Sequence, residues 1–418
     1  MKRIMIYAVA ASILCCNYSC NKDNTPIQED FPEDVNLFDP IELTVKQGEK
    51  ANADNRFAFN IFKEVSALKG VNTFFSPLSL NMALGMLYNG ASGGTRTEMA
   101  EVLGMADFTE TEINEYYQKM TQALLKIDPL TDISIANSIW YRDWLPVKQP
   151  FIDINQTYFD AVVKALDFSK PDAADTINKW CAEKTKDKIK EIIENPINDG
   201  VMMYLMNTLY FKSKWYSEFN KMQTKQDDFT KTNNQKEKVN MMQQTAVFPY
   251  YADKRLQCVE MPFGNRAFSM VAILPANDMN IDEFINNFND SKWQNIINNL
   301  RKKNVWLKLP RFKIECDIPL NDPVMNVGIK RIFSGGFGNI SDFPLAVSKI
   351  KQKTFVEVNE KGAEAVAVTV IEMVTTCDLE GPTIIPVSFF ANRPFLYLIK
   401  EKSTGTILFI GRMDAPKE

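Results

Sequence analysis

The chain has 418 residues, a formal net charge of −4 and 45% hydrophobic residues, which is the composition of a globular protein with a large core. The nearly balanced charge, without a long run of Lys or Arg, argues against a nucleic-acid partner. The chain contains no histidine, and this excludes Ser-His-Asp and Cys-His catalysis and His-ligated metal sites. We expect neither a metal ion nor a cofactor.

The N-terminus carries the pattern of an export signal. Lys2 and Arg3 precede an apolar run, residues 4–16, that is too short to span a bilayer. We therefore interpret residues 1–19 as a signal peptide of the lipoprotein type. Ordinary secretory cleavage close to this position is the alternative.

Cys20 follows the small residue Ser19, and this stretch resembles the lipid-attachment box of bacterial lipoproteins. The resemblance implies that lipid chains on Cys20 tether the exported protein to a membrane of the bacterial cell envelope, such as the outer membrane, on its periplasmic or surface face. Residues 20–50 contain the acidic run "EDFPED" and predict a flexible tether. Residues 51–418 predict the folded domain.

Helical signals dominate the first half of the folded domain. Asp54 is predicted to cap a first helix, and Gly90 to end a second one. Thr95 and Glu98 have the spacing of a capping box for a third helix, and Gly104 has the position of its stop. The apolar residues that recur at helical spacing in the first two helices are Phe57, Ile61, Val65, Leu68, Leu80, Leu84 and Leu87.

Strand signals dominate the second half. Apolar runs around residues 135 and 205 suit central strands of a sheet. The stretch "VWLKLPRFKIECDI" alternates apolar and polar residues, and "FLYLIKEKSTGTILFIGRM" predicts two strands joined by a Gly-containing turn. Together these signals predict a mixed α and β protein with antiparallel strands late in the chain.

Two stretches match enzyme motifs by letter only. "GASGG" at residues 90–94 fits G-x-S-x-G, but it joins two predicted helices in a chain without a His base. "SKIK" at residues 348–351 fits S-x-x-K, but the S-D-N and K-T-G motifs that accompany it in enzymes are missing. The cysteines after the signal region are widely spaced and include no CxxC pair, so the sequence indicates neither a disulfide framework nor a metal site. We do not expect an enzyme.

A segment near the C-terminus alternates like a strand but carries little bulk on one face. Gly362 opens it. One face carries Ala363, Ala365, Ala367 and Thr369. The other face carries Glu364, Val366, Val368 and Val370. Ordinary buried strands carry bulky residues on both faces, so this segment suits a narrow space.

The stretch "FVEVNEKGAEAVAVT" closely resembles the hinge of the serpins, a family of serine protease inhibitors. Further stretches resemble the same family in the same order, among them "FFSPLSLNMALGMLYNGASGGTRTEM", "NTLYFKSKW", "EMPFGNRAFSMVAILP" and "NRPFLYLI". The resemblance extends from about residue 50 to residue 415. It implies a single α+β domain with three mainly antiparallel β-sheets, about eight or nine helices and an exposed reactive-centre loop at about residues 360–385.

The resemblance also implies a mechanism. A protease attacks one bond of the loop and becomes acylated to it, and the freed loop then inserts as a new strand in the main sheet. The partner is therefore a protease held in a covalent complex, and the inhibitor is expected to be a monomer. A non-inhibitory serpin that serves as a binding or scaffold protein is the alternative.

Family positions map onto this sequence residue by residue. The hinge corresponds to Glu360, Lys361, Gly362, Ala363, Glu364, Ala365, Val366, Ala367, Val368 and Thr369. Trp215 corresponds to the Trp at the top of the main sheet, where insertion begins, and Ser213 replaces the Gly usual in that motif. The cluster under the middle of the sheet corresponds to Ser76, Ser79, Asn207 and Gln352. Gln352 stands where the family usually has His, and it supplies both a donor and an acceptor.

The scissile residue of most inhibitory members is the fourteenth after the hinge Gly, which places the reactive bond between Thr376 and Cys377. The segment from Gly362 to "NRPF" is longer than usual in the family, so other positions stay open. These are Met373, Val374, Thr375, Cys377 and Leu379. "IEMVTTCDL" contains no Lys or Arg, which argues against a trypsin-like target. An elastase-like or subtilisin-like serine protease is expected, with a papain-like cysteine protease as the alternative.

Overall fold

The structure is a computed structural model that describes residues 37–68, 72–363 and 385–418. The predicted signal peptide, the lipid-attachment residue Cys20 and the predicted Thr376–Cys377 bond lie outside the described residues. The hinge residues after Ala363 also lie outside them. In the described part of the chain the mixed α and β architecture expected from the sequence is confirmed.

Nine α-helices occur among the described residues. They are α1 (Val45–Ala67), α2 (Pro77–Gly90), α3 (Gly93–Val102), α4 (Glu110–Leu124), α5 (Gln149–Phe159), α6 (Ala173–Lys184), α7 (Ile281–Asn287), α8 (Asp290–Asn299) and α9 (Asn321–Asn326). Two short 3₁₀ turns add residues Lys221–Gln223 and Arg331–Phe333. Among the described residues, no helix is both long enough and apolar enough to cross a membrane.

Fifteen strands occur in the same described ranges. They are β1 (Thr73–Phe75), β2 (Asp132–Arg142), β3 (Val162–Leu166), β4 (Met203–Lys214), β5 (Lys225–Thr230), β6 (Lys236–Ala252), β7 (Leu256–Pro262), β8 (Phe268–Pro275), β9 (Arg301–Pro310), β10 (Phe312–Pro319), β11 (Lys351–Asn359), β12 (Gly362–Ala363), β13 (Val387–Phe390), β14 (Phe395–Glu401) and β15 (Ile407–Met413). The runs around residues 135 and 205 are β2 and β4, and the predicted C-terminal hairpin is the antiparallel pair β14 and β15.

Helix α1 begins earlier than the sequence predicted. Its N-cap is Thr44, whose side chain accepts a hydrogen bond from the Gln47 amide, while the Gln47 side chain accepts one from the Thr44 amide. The predicted cap, Asp54, lies inside the helix, where it is buried and ion-paired with Lys50 one turn earlier. Burial raises the pKa of Asp54, although Lys50 opposes the shift. Asp54 precedes the clear apolar repeat, and for that reason it resembled a cap.

The capping box predicted for α3 is also wrong. Ser92 is the N-cap of this helix, so Thr95 and Glu98 both lie inside it. The Thr95 hydroxyl donates to the Gly335 carbonyl oxygen at 2.9 Å. The Glu98 carboxylate accepts from the backbone amides of residues 330–331 at 2.6 Å. Both side chains therefore bind a distant loop, which local spacing does not reveal.

The described strands form two hydrogen-bonded sheets. A six-stranded sheet has the order β10-β11-β12-β4-β2-β3. A nine-stranded sheet has the order β1-β15-β14-β8-β7-β6-β9-β13, with β5 paired to β6. The expected three sheets appear as two because β6 is 17 residues long and pairs with β9 along most of its length and with β7 at its end. Most pairs are antiparallel, but β2 with β3 and β9 with β13 are parallel.

Helix α2 lies between the two sheets. It contacts β4 of the six-stranded sheet and β15 of the nine-stranded sheet. Its N-cap is Ser76, and Pro77 occupies the first turn, where the missing amide hydrogen is not needed. Nearly every residue of α2 is buried, in keeping with a helix that is apolar on all sides. Helix α2 therefore packs against the face of the six-stranded sheet that is turned toward the nine-stranded sheet.

Candidate functional site

Strand β12 places the hinge between two strands of the six-stranded sheet. Gly362 pairs with Asn359 of β11 on one side and with Lys214 of β4 on the other. Ala363 makes the next pair on each side. Among the described residues, β4 and β11 pair with each other nowhere. The two hinge residues therefore separate β4 from β11 at the C-terminal ends of these two strands, which we call the upper end of the sheet.

Gly362 has a conformation and surroundings that require glycine. Its φ is +153°, and a Cβ at this position would lie 2.0 Å from the Ser213 carbonyl oxygen and 2.7 Å from Lys214 Cα. The next residue, Ala363, is only 1% exposed. Its small side chain already lies in the core, on the face where the sequence places Ala365 and Ala367 by period two.

A slot continues from Ala363 between β4 and β11. Near the hinge it is lined by residues 209–211 of β4, residues 355–357 of β11 and residues that follow α6. Further from the hinge, a cavity of about 390 Å³ lies between the lower parts of the two strands, lined among the described residues by α2, β4 and the segment leading into β11. The four residues predicted under the middle of the sheet all line this cavity: Ser76, Ser79, Asn207 and Gln352.

Trp215 closes the upper end of the slot. Its indole Nε1 donates to the Asn359 carbonyl oxygen at 2.8 Å, and its backbone amide donates to the Lys361 carbonyl oxygen at 2.8 Å. Its ring stacks on Phe263 with centroids 4.4 Å apart. The Trp that follows β4 is therefore bonded to the end of β11 and to the turn that precedes β12.

Ser213, which replaces the Gly usual in this motif, is accommodated by polar contacts. Its side chain is buried, and its hydroxyl oxygen lies 2.7 Å from that of Thr131. The Thr131 hydroxyl in turn lies 2.6 Å from the Asp128 carboxylate. Since the extra hydroxyl is hydrogen-bonded, the substitution leaves no orphaned buried donor beside the hinge.

Glu360 is anchored more firmly than any other described hinge side chain. Its carboxylate accepts from the Thr224 hydroxyl at 2.7 Å and forms an ion pair with Arg311. Its carbonyl oxygen accepts from the Phe219 amide at 2.9 Å. Burial raises the pKa of Glu360, but the hydrogen bonds from Arg311 and Thr224 outweigh burial and hold the pKa below its usual value. Glu360 is therefore ionised throughout the neutral range.

Arg311 and Thr224 were not predicted as site residues. Arg311 occupies the single position between β9 and β10, and it also lies 3.4 Å from the Glu418 carboxylate. Burial lowers the pKa of Arg311, but Glu360 and Glu418 raise it by more. A lone cation at the break between two apolar strands, in "LPRF", was the available signal for Arg311.

The residues predicted under the middle of the sheet come together around the start of α2. The Gln352 carboxamide accepts from the Ser76 amide at 2.7 Å and donates to the Ser76 carbonyl oxygen at 3.0 Å. The Ser79 hydroxyl donates to the Asn207 carbonyl oxygen at 3.4 Å. The Asn207 side chain donates to that of Asn137 at 2.7 Å. These bonds link β11 and β4, the two sides of the slot, through α2.

The three described cysteines do not lie in reactive settings. Burial raises the pKa of the Cys181 thiol to about 12, and burial also raises the pKa of Cys258 and Cys316. Among the residues that the structure describes, no group of three or more His, Cys, Asp or Glu side chains could hold a metal ion. The site therefore consists of the short strand β12 between β4 and β11, the polar residues hydrogen-bonded beside it and around the start of α2, and the slot.

Among the described residues, β12 and a cavity thus separate β4 from β11 in the six-stranded sheet. The family model described as "Serpin (serine protease inhibitor)" matches residues 52–416. The chain belongs to the serpin family, whose members are generally protease inhibitors. The family and the fold class predicted from the sequence are thereby confirmed.

Relatives of several kinds share this fold. Iripin-1 of Ixodes ricinus is 32% identical over 372 residues, which cover 87% of this chain and 94% of the relative. A serpin-like protein of Thermococcus kodakarensis is 31% identical over 382 residues, which cover 90% and 88% of the two chains. The thermophilic serpin tengpin in its native state has a TM-score of 0.80 at 28% identity, with 90% and 95% of the chains covered. Human thyroxine-binding globulin has a TM-score of 0.80 at 25% identity, with 90% and 100% covered.

Proposed function

We propose that this serpin is a suicide-type inhibitor that traps its target protease by inserting its loop between β4 and β11. The protease nucleophile attacks the carbonyl carbon of the scissile residue, and an acyl bond to the protease replaces the peptide bond. The amine of the following residue takes up a proton and leaves as a new N-terminus. The freed arm of the loop, still carrying the protease, then extends β12 along the slot.

One observation carries this proposal: Gly362 and Ala363 already pair with both neighbours at the upper end of the slot. A strand that continues from them would run between β4 and β11, which pair with each other nowhere among the described residues. Each inserted residue adds ladder hydrogen bonds and buried surface that together contribute about 1 kcal/mol. In the inserted strand, the period of two would put the small residues Ala365, Ala367 and Thr369 on the same face as the buried Ala363.

The anchors at each end have distinct roles in this proposal. Trp215 and Glu360 fix the upper end, where the incoming strand first separates β4 from β11. Gln352 and Ser79 bind the two sides of the slot to α2 lower down. The inserting strand must therefore pass a region whose spacing is set by hydrogen bonds rather than by apolar packing alone.

The proposed target is an elastase-like or subtilisin-like serine protease, and the proposed reactive bond joins Thr376 to Cys377. The basis is the register counted from Gly362 together with the small and aliphatic residues around Thr376 and the lack of Lys and Arg in "IEMVTTCDL". A papain-like cysteine protease is the second candidate target.

The test is incubation of residues 21–418 with pancreatic-type elastase and, separately, with subtilisin, followed by denaturing electrophoresis. We expect a band at the summed mass of inhibitor and protease that survives denaturant. Sequencing of the released C-terminal fragment should give Cys377 as its first residue. Clean cleavage by both proteases without any adduct, and without a rise in the melting temperature of the cleaved chain, would contradict the proposal.

A non-inhibitory binding or scaffold protein on the same fold is the alternative. It is favoured by one comparison: thyroxine-binding globulin, named as a binding protein, superposes as well as tengpin does, with a TM-score of 0.80 for each. The overall fold therefore does not separate the two functions. Loss of trapping on blockage of the slot, described in the Discussion, separates them.

We also propose that Cys20 carries the lipid anchor of the exported protein. The basis is the sequence before it: two cations, a short apolar run and a small residue. In a bacterial host the full chain should incorporate labelled fatty acid and sediment with membranes. The Cys20→Ser variant should do neither; if it is labelled and sediments like the unaltered chain, Cys20 is not the anchor.

A further inference from the structure

A recess with an exposed aromatic ring lies beside the two ends of the loop. It has a volume of about 580 Å³ and is lined by residues 218–225 between β4 and β5, residues 243–245 of β6, and Trp306 of β9. Among the described residues, eleven large apolar side chains are exposed, and two of these, Met222 and Trp306, line the recess. Two such side chains in one recess differ from single apolar residues scattered over a surface.

Residues in and next to the recess contact the chain on both sides of the loop. On the hinge side, the Phe219 amide and the Thr224 hydroxyl donate to Glu360 at 2.9 Å and 2.7 Å. On the other side, Trp306 is the strand neighbour of Ser388 in β13, where the chain enters the nine-stranded sheet again. The recess therefore lies between the point where the loop leaves the fold and the point where it returns.

Trp306 is held in place without being buried. It is 40% exposed, and its cross-strand neighbours are Thr245 and Ser388. Its ring meets Phe390 edge-on with centroids 4.9 Å apart. Lys308 lies over both rings, 5.7 Å and 5.1 Å from their centroids. A fixed, exposed Trp loses little conformational entropy when a partner covers it, as is typical of an interface anchor.

Met222 extends from the opposite wall of the recess. Its side chain is 90% exposed on a 3₁₀ turn, and the Asn220 side chain accepts a hydrogen bond from the Met222 amide at 2.9 Å. Exposed Met and Trp side chains among neutral amides are the composition of a protein interface core. The two charged residues of the lining, Glu218 and Lys225, have opposite signs, so the matching partner surface is apolar and uncharged.

We infer that this recess is a second contact surface for the target protease, used together with the loop; the inference rests on the proposed function. Ile385 lies nine positions after Thr376, a span of at most about 32 Å when fully extended. A protease domain of about 220 residues has a radius of gyration of about 17 Å, which corresponds to a sphere about 44 Å in diameter, so it is wider than this reach. A protease that holds the reactive bond extends over the recess.

The test measures docking separately from trapping. The probes are pancreatic-type elastase and subtilisin, each with its nucleophilic serine replaced by alanine, so that the loop is bound but not acylated. Dissociation constants are measured for the unaltered chain and for Trp306→Ala and Met222→Ala. We expect about tenfold weaker binding for Trp306→Ala and about threefold weaker binding for Met222→Ala. Because Met222 is almost fully exposed on a turn, its variant keeps the test valid if Trp306→Ala fails to fold.

Trp144 provides a matched control. It is 55% exposed and meets Phe343 edge-on with centroids 5.7 Å apart, as Trp306 meets Phe390. It follows the end of β2 that is far from the hinge, so Trp144→Ala should bind both inert proteases like the unaltered chain. Equal binding by all variants, or an equal loss for Trp144→Ala, would overturn the inference.

The outcomes separate this inference from the proposed function. Covalent adducts with unchanged docking of Trp306→Ala and Met222→Ala would leave the inhibitor proposal standing and remove the recess. Docking that depends on Trp306, without any covalent adduct from active protease, would support the recess as a contact surface and contradict the inhibitor proposal. If neither inert protease binds the unaltered chain, the recess is not a contact surface for these proteases.

Discussion

At the first residue of the hinge, one carboxylate joins three separate segments of the chain. Glu360 binds Arg311 at the break between β9 and β10, and Thr224 just before β5. Hydrogen bonds to charged groups contribute about 1.5–3 kcal/mol each when they are shielded from water. Replacing the carboxylate by a carboxamide retains shape and one acceptor, so this change isolates the contribution of charge.

We predict that Glu360→Gln lowers the free energy of unfolding by about 1–2 kcal/mol at pH 7, measured by urea denaturation. The pKa of Glu360 is lowered in the folded state. The ionised carboxylate therefore contributes stability that is present above the unfolded pKa of about 4.3 and is lost as the pH falls through the lower, folded pKa. The difference between the variant and the unaltered chain should shrink in that acidic window.

The control for this prediction is Glu315→Gln on the neighbouring strand β10, where the side chain is exposed. We expect it to change stability by less than about 0.5 kcal/mol. A loss at Glu360 that is the same at neutral and at acidic pH would show that the ion pair with Arg311 is not its cause.

Gln352 is a second residue whose chemistry has a direct consequence. It bonds the Ser76 amide and carbonyl at once, which needs one acceptor and one donor on the same side chain. A neutral imidazole also has both, but an imidazolium has two donors and would oppose the Ser76 amide. Since the chain has no histidine, a His introduced here would be its sole imidazole.

We predict that Gln352→His makes stability depend on pH near neutrality. The protonated ring would place an N–H donor opposite the N–H of the Ser76 amide, which disfavours the charged form. The pKa of the introduced imidazole in the folded state therefore falls below its unfolded value of about 6.5. Stability is then lost as the pH falls below about 6.5, by about 1–1.5 kcal/mol for a one-unit shift. Melting temperatures at pH 7.5 and pH 5.5 should differ for this variant and stay level for the exposed control Gln235→His. Identical pH profiles for the two variants would refute the assigned bonds.

Among the elements, β12 has the most specific role because it is a strand of only two residues with a partner on each side. An isolated strand so short is not stable alone, and β12 persists because β11 and β4 supply its hydrogen bonds. Ala363 is buried between them and lines the slot. The size and charge of the side chain at 363 therefore decide whether a strand can follow.

We predict that Ala363→Arg converts the inhibitor into a substrate. The guanidinium cannot be buried without a partner, so insertion stalls and the acyl bond is hydrolysed. Electrophoresis with elastase or subtilisin should show cleaved chain and no adduct, while Ala363→Ser should still form the adduct. If Ala363→Arg traps as well as the unaltered chain, insertion past β12 is not part of the mechanism. A scaffold protein would show no difference between the two variants.

Elements defined by local pattern were predictable, and those defined by distant partners were not. Strands β2 and β4 and the hairpin of β14 and β15 follow from runs and alternation within the segment itself. The predicted cap of α1 was wrong because Asp54 lies inside the helix, paired with Lys50. The predicted capping box of α3 was wrong because Thr95 and Glu98 bind a distant loop. The site shows the same limit: Glu360 meets Arg311 across 49 positions and Thr224 across 136. Family resemblance placed the Gln352 cluster, but local spacing could not supply its bond to Ser76, 276 positions away.

At the scale of the whole molecule, the six-stranded sheet is divided: among the described residues, its strands β4 and β11 do not pair with each other. Among the described residues, β4 and β11 have β12 between them at the top and a cavity further down. The Gln352 and Ser79 bonds hold the two sides while this space is open. In the proposed mechanism, completion of this sheet releases free energy that the uncleaved chain retains.

We predict that cleavage in the loop raises the melting temperature by about 10 °C or more, because roughly ten inserted residues contribute about 1 kcal/mol each. Limited digestion with subtilisin, followed by calorimetry of the nicked chain, tests this. Ala363→Arg, nicked in the same way, should gain little and serves as the control. An equal rise in both chains would mean that relief elsewhere, and not strand insertion, stabilises the nicked form.

The register of β12 also sets how far an inserted strand could extend. Continued in the same antiparallel register from Ala363, an inserted strand would bring Val370 opposite Lys351, the first residue of β11, and Met373 opposite Met203, the first residue of β4. The sheet would then be full three residues short of Thr376. The lengths of β4 and β11 would thus fix how far an attached protease travels, about 33 Å from the hinge, and how much of the loop remains as slack between the two proteins. Lengthening the loop before Thr376 would leave more uninserted residues and hold the protease less tightly. Shortening it would press the protease more closely against the far end of the sheet.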